Sequence, residues 1–210
     1  MQLEHILSRR RAFTLVELLV VVLVIGMVAA MLLPALSRER QKVRRMQCAD
    51  NLKQLGLGVK VWSFDQSGKV TNSTTPPFVP AAGQASDYFK LMAAQLGTPA
   101  HLICPADSRT AAADFGNRFS NTNLSYFINA DLHHASSQML LAGDRNLQDE
   151  SLPFRGLLVV TPRDDVSWTR QLHNRTGNLL FGDGSVQQVN NFGLSEIVDN
   201  ASRPNRLALP

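Results

Sequence analysis

Cysteine, tryptophan and tyrosine are scarce in this chain, with two of each among 210 residues. Two cysteines exclude a disulfide-dense scaffold and a four-cysteine zinc centre, and leave room for a single bond between them. Aromatic side chains make up 7% of the residues and charged ones 18%, while 44% are hydrophobic. That balance excludes disorder throughout and allows a real core. No HExxH pair, no Gly-Xaa-Ser-Xaa-Gly nucleophile turn and no phosphate-cradling glycine loop occurs, so the common hydrolase and nucleotide-binding signatures are missing. Internal repeats and long low-complexity tracts are also absent. Acidic residues are in deficit overall, but unevenly. Residues 1–60 carry 10 of the 21 Lys/Arg and 4 of the 17 Asp/Glu, leaving residues 61–210 slightly acidic. The basic character therefore belongs to an N-terminal arm, and nucleic-acid binding by the larger part is not expected.

What the sequence has in abundance is an N-terminal apolar run. Residues 1–12 end in Arg9, Arg10 and Arg11, and residues 13–36 are almost wholly apolar. As a helix that segment spans about 36 Å at ~1.5 Å per residue, against a hydrocarbon core about 30 Å thick. A buried core helix fits poorly, because Leu18–Leu33 has no polar face. A cleaved secretory signal also fits poorly. Ala29 and Ala30 imitate a cleavage site, but Met31–Leu33 prolong the run beyond the usual ~7–15 residues. Two residues are out of place in a generic anchor. Glu17 lies within the apolar segment, where an acidic side chain near mid-bilayer costs roughly 2.5–3.5 kcal/mol on insertion scales. Pro34 removes a helix hydrogen bond and predicts a kink around Ala30–Pro34.

The stretch Arg9-Arg10-Arg11-Ala12-Phe13-Thr14-Leu15-Val16-Glu17-Leu18 resembles the signal of type IV prepilins and type II secretion pseudopilins. The resemblance implies cleavage between Ala12 and Phe13 by a prepilin peptidase, N-methylation of Phe13 and an assembly role for Glu17. Ala12 stands where that family usually has glycine, so slower cutting is expected. The implied partners are the peptidase/N-methyltransferase, like pilin or pseudopilin subunits docking through residues 13–36, and an inner-membrane assembly platform. The implied location is the inner membrane, single-pass, with a cytoplasmic N-terminus and a periplasmic head. Charge alone would not choose this orientation, because Arg38, Arg40, Lys42, Arg44 and Arg45 follow the apolar run and compete with the leader arginines.

The expected organisation is therefore a leader (1–12), a transmembrane and assembly helix (13–36), an amphipathic stem (37–64) and a globular head (65–210). Val43, Met46, Ala49, Leu52, Leu55, Val59 and Trp62 recur at helical spacing, and Gly56 and Gly58 predict an end between Leu55 and Phe64. In the head, residues 85–96 read as a short helix capped by Ser86 or Asp87. Strands are expected near His101–Cys104, Leu124–Ile128, Gln138–Ala142 and Gly156–Val160. A hairpin is expected across Gly182-Asp183-Gly184, a helical turn at Leu194–Asn200 and a loose tail from Arg203. Asp164-Asp165 reads as a solvated turn. The fold class is α+β, a long helix on a small antiparallel sheet.

His173, nine residues and then Asp183-Gly184 is similar to the C-terminal motif of many prepilin-like heads. Read from the residues, Gly184 allows a tight turn that His173 could bond across. The sharper alternative is a calcium site built from Asp183, Asp144 and His173. No other cofactor is expected. Cys48 and Cys104 could form a disulfide, remain as thiols or hold a metal. Three functions follow in order: a structural filament subunit; a membrane-anchored binding module with Trp62, Tyr88, Tyr126 and Trp168 lining a site; and an anchored hydrolase using His173 with Asp144 or Asp183.

Overall fold

The computed structural model describes residues 14–70, 84–132, 137–149 and 156–210. The expected leader (1–12), the expected cleavage pair Ala12–Phe13 and the loop holding Pro76, Pro77, Pro80 and Gly83 lie outside the described residues. The chain falls into two units, Met1–Lys42 and Val43–Pro210.

Helix α1, Leu15–Val70, crosses that division without a break in its helical assignment. It continues through Pro34, where the sequence predicts a kink, and past Gly56 and Gly58, where it predicts an end. The two glycines are contact points. A Cβ on Gly56 would lie 2.9 Å from Leu180 Cδ1, and one on Gly58 would lie 2.6 Å from Leu96 Cδ2. Close packing therefore outweighs a propensity cost of about 1 kcal/mol per glycine.

In the first unit, Leu15–Leu33 is long and apolar enough to cross a membrane, and is the one such helix among the described residues. Its leucines, valines and methionines are exposed on all sides.

The second unit is α+β. Six strands form an antiparallel sheet in the order β4-β8-β1-β2-β6-β7. These are β1 (Tyr126–Asn129), β2 (Leu140–Asp144), β4 (Leu157–Val160), β6 (Thr176–Phe181), β7 (Val186–Asn190) and β8 (Asn205–Ala208). Two three-residue strands, β3 (Leu147–Asp149) and β5 (Val166–Trp168), make a separate ribbon. Alternation along the strands divides the core in two. One face sends Tyr126, Ile128, Ala142, Leu180 and Ala208 against Cys48, Leu52, Leu55, Val59 and Trp62 of α1. The other sends Phe127, Leu158, Leu179 and Leu207 against Trp168 and against Leu194 and Val198 of α4 (Asn191–Asp199). The buried stripe of α1 is rotated from the predicted one. Val43 and Met46 are exposed, while Cys48 is buried and Arg45 is half-buried.

Several other expectations change. The predicted 85–96 helix divides into α2 (Ala85–Leu91) and α3 (Ala93–Leu96) at Met92. Its N-cap is Gln84, because Ser86 instead places its N–H on Asn121 Oδ1 at 3.0 Å. His101–Cys104 is not a strand: a 3-10 turn over Pro99–Leu102, capped by Thr98, takes its place. The predicted loose tail contains β8, which lies between β4 and β1. Asp164 closes a turn by accepting from the Thr161 N–H at 2.6 Å.

Candidate functional site

At the N-terminal end of α1, Thr14 Oγ1 accepts from the Glu17 N–H at 3.2 Å. Threonine followed three residues later by glutamate is the sequence signature of a capping box, and the bond satisfies a donor the helix leaves unpaired. The spacing Thr14–Glu17 before an apolar run was a readable signal, and the bond uses the Glu17 backbone N–H. The Glu17 carboxylate also suits the positive end of the helix dipole. Cleavage after Ala12 would place this cap at the second residue of the mature chain.

The head contains a second, buried constellation. Cys48, on α1, is joined by a disulfide to Cys104, which follows the Pro99–Leu102 turn. His173 Nε2 lies 3.4 Å from Cys104 Sγ and 3.5 Å from Asp144 Oδ2. All four side chains are buried. Asp144 ends β2, and its Oδ2 accepts from the backbone N–H of Asn178 at 2.8 Å and from Asn178 Nδ2 at 3.0 Å. Asp144 Oδ1 is buried with no hydrogen-bond partner among the described residues. Burial pushes the Asp144 carboxyl up to about 7, against the opposing Asn178 bonds. Burial, and then the Arg45 guanidinium, hold the His173 imidazole down to about 4. Near neutral pH the imidazole is therefore the neutral partner, with a lone pair free to accept or to ligate.

The backbone around His173 is unusual. Leu172, Asn174 and Arg175 have φ of 58°, 52° and 61°, a left-handed region that non-glycine residues seldom occupy. Hydrogen bonds hold this turn in place. The His173 carbonyl accepts from Arg45 Nη2 at 3.0 Å and from Thr176 Oγ1 at 2.7 Å. Asn146 Nδ2 donates to the carbonyls of Gln171 and Thr176. Strain of this kind persists only where the surroundings over-determine it, and here it fixes one imidazole.

The predicted grouping of His173 with Asp183 does not form. His173 precedes β6 and Asp183 follows it, so a six-residue strand at about 3.3 Å per residue separates them. Asp183 is an exposed turn residue. Its Oδ1 accepts from the Ser185 N–H at 2.7 Å, its carbonyl accepts from Lys60 Nζ at 2.6 Å, and Gly184 supplies φ of 89°. The same separation divides Asp183 from Asp144, so the calcium set Asp183, Asp144 and His173 is not assembled. Trp62, Tyr88, Tyr126 and Trp168 are core residues rather than a lining. Sequence reasoning missed that His173 meets Cys48 and Cys104, because the contact depends on the approach of α1, β2 and the 172–175 turn.

These features define an α+β protein with an N-terminal membrane-length helix. Residues 7–33 match the family model described as the prokaryotic N-terminal methylation motif. The chain thus carries a motif characteristic of prepilin and pseudopilin proteins. Comparison with curated proteins and with solved structures finds no match for this chain.

Proposed function

We propose that the chain is a pseudopilin or minor-pilin-like structural subunit. It is cut between Ala12 and Phe13 by a prepilin peptidase, N-methylated at Phe13, and assembled into a type II secretion pseudopilus or type IV pilus-like filament. Before assembly it crosses the inner membrane once, with the head in the periplasm. The observation that carries this reading is the methylation motif over residues 7–33 continuing into an exposed apolar helix. Cutting creates a cationic α-amine at Phe13, which methylation leaves charged. Glu17 lies four residues on, so the carboxylate of one subunit can pair with the amine of a neighbour and offset its burial cost. The like subunits would meet through residues 13–36, and the inner-membrane platform would supply the extraction force.

The test is the mass of the N-terminal peptide from the native membrane fraction. A peptide beginning at methylated Phe13 is expected. An intact Met1 leader would mean that Ala12 blocks the cut, and would leave the protein a fixed single-pass anchor displaying its head.

A further inference from the structure

We propose that, when the Cys48–Cys104 bond is open, Cys48, Cys104, His173 and Asp144 form a buried site for a zinc-class divalent cation. The same four side chains would then join α1 to the rest of the second unit in either redox state.

The geometry is already close to a ligand set. The candidate donor atoms of Cys48, Cys104 and His173 all lie within 4.8 Å of one another. In a tetrahedral site with metal–sulfur bonds of about 2.3 Å and metal–nitrogen bonds of about 2.0 Å, a sulfur and a nitrogen sit about 3.5 Å apart. Cys104 Sγ and His173 Nε2 are 3.4 Å apart, and Asp144 Oδ2 is 3.5 Å from the same nitrogen. What remains is for the two sulfurs to part to about 3.8 Å, which opening the disulfide permits, and for the Asp144 carboxylate, now in contact with His173 alone of the three, to close on them.

Two further observations point to a ligand. Asp144 is fully buried; its Oδ2, beside His173, is held by Asn178, while its Oδ1 lacks a partner among the described residues, a cost that a cation bound at the carboxylate would offset. The turn that aims His173 is held in a left-handed backbone at three non-glycine positions, which fixes the imidazole beside Cys104. Two sulfurs, one imidazole and one carboxylate favour a zinc-class ion over calcium, which takes oxygen ligands.

The chemistry balances. In the reducing compartment where the chain is made, both cysteines are thiols. Binding the cation replaces two S–H bonds with two metal–sulfur bonds and releases two protons. On the oxidising side, a protein disulfide accepts the two electrons of the two thiolates and two protons from solvent, and becomes a dithiol. The metal–sulfur bonds break, the Cys48–Cys104 bond forms and the cation leaves.

The experiment uses the full chain in detergent, reduced with a phosphine, desalted anaerobically and titrated with Co²⁺. The expected result is one equivalent bound, with a thiolate-to-cobalt charge-transfer band and the intense d–d bands of a tetrahedral site, all displaced by Zn²⁺. Oxidising the same sample should abolish the bands. Cys48→Ser should remove about half of the charge-transfer intensity, since the Cys104 thiolate remains, and His173→Asn should weaken binding at least tenfold. Absence of the charge-transfer band in the reduced wild-type chain would overturn the proposal, as would binding equal in the reduced and oxidised chain. Because that comparison uses one unmutated protein, a variant that fails to fold does not rescue the idea.

Discussion

Asp107 and Arg145 illustrate how single side chains hold the head together. The Arg145 guanidinium grips the Asp107 carboxylate with Nε–Oδ2 at 2.7 Å and Nη2–Oδ1 at 2.8 Å, and Ser125 Oγ adds a bond of 2.7 Å. Burial raises the Asp107 carboxyl, but the Arg145 and Ser125 bonds outweigh it and bring it down to about 2. A carboxyl lowered on folding contributes stability that is present above its unfolded value of 3.8 and lost as pH falls through about 2. Thermal unfolding of the wild-type head followed from pH 5 to pH 2 should show that loss, and Asp107→Ala should flatten it. The same substitution should cost about 3 kcal/mol near neutral pH, since it leaves a guanidinium without its carboxylate, measured by urea titration. Gly143 is a second sensitive position. A Cβ there would lie 2.7 Å from Phe127 Cζ and 2.8 Å from the Asn178 carbonyl. The backbone oxygen cannot yield cheaply, so Gly143→Ala should cost about 1–3 kcal/mol in the same titration.

At the scale of elements, β8 carries more than its length suggests. It pairs Leu207 with Leu158 of β4 and Ala208 with Ile128 of β1, so it occupies an interior place in the sheet. Deleting residues 203–210 should leave β4 without a neighbour in the main sheet, and should make the head sensitive to limited proteolysis under conditions where the full chain resists. The Cys48–Cys104 bond spans 56 residues, which in the chain-entropy model is worth about 4 kcal/mol. Reducing it in the presence of a chelator should lower the unfolding free energy by about that amount. These two elements also mark the limit of what the sequence discloses. The α1 periodicity and the Gly182-Asp183-Gly184 hairpin are local patterns, and both were legible. The β8 residues are flanked by Arg203 and Pro204 and are only four long, and β3 and β5 are three-residue strands. Their identity as strands comes from distant partners, so a local window reads them as loop. The rotation of the α1 stripe has a similar cause. Leu52, Leu55, Val59 and Trp62 are in phase in both readings, but which residues continue the stripe towards Arg45 depends on where Cys104 and His173 sit.

For the whole molecule, the candidate site was legible in one part and hidden in the other. The methylation motif lies in consecutive residues, 7–33, so it was readable. The buried cluster draws on residues 48, 104, 144 and 173, and no spacing rule joins them. The filament reading makes a prediction at this scale. Glu17→Ala removes the carboxylate available to a neighbour's Phe13 amine. The variant should be processed and remain in the membrane fraction, but should be at least tenfold depleted from sheared surface filaments, as measured by immunoblot of both fractions.

The interior position of β8 bears on the order of events during synthesis. Residues 126–129 and 157–160 both precede their shared neighbour at 205–208 in the chain. Closure of the sheet between β4 and β1 must therefore wait until this segment has been made. The second unit locks only once residue 208 arrives.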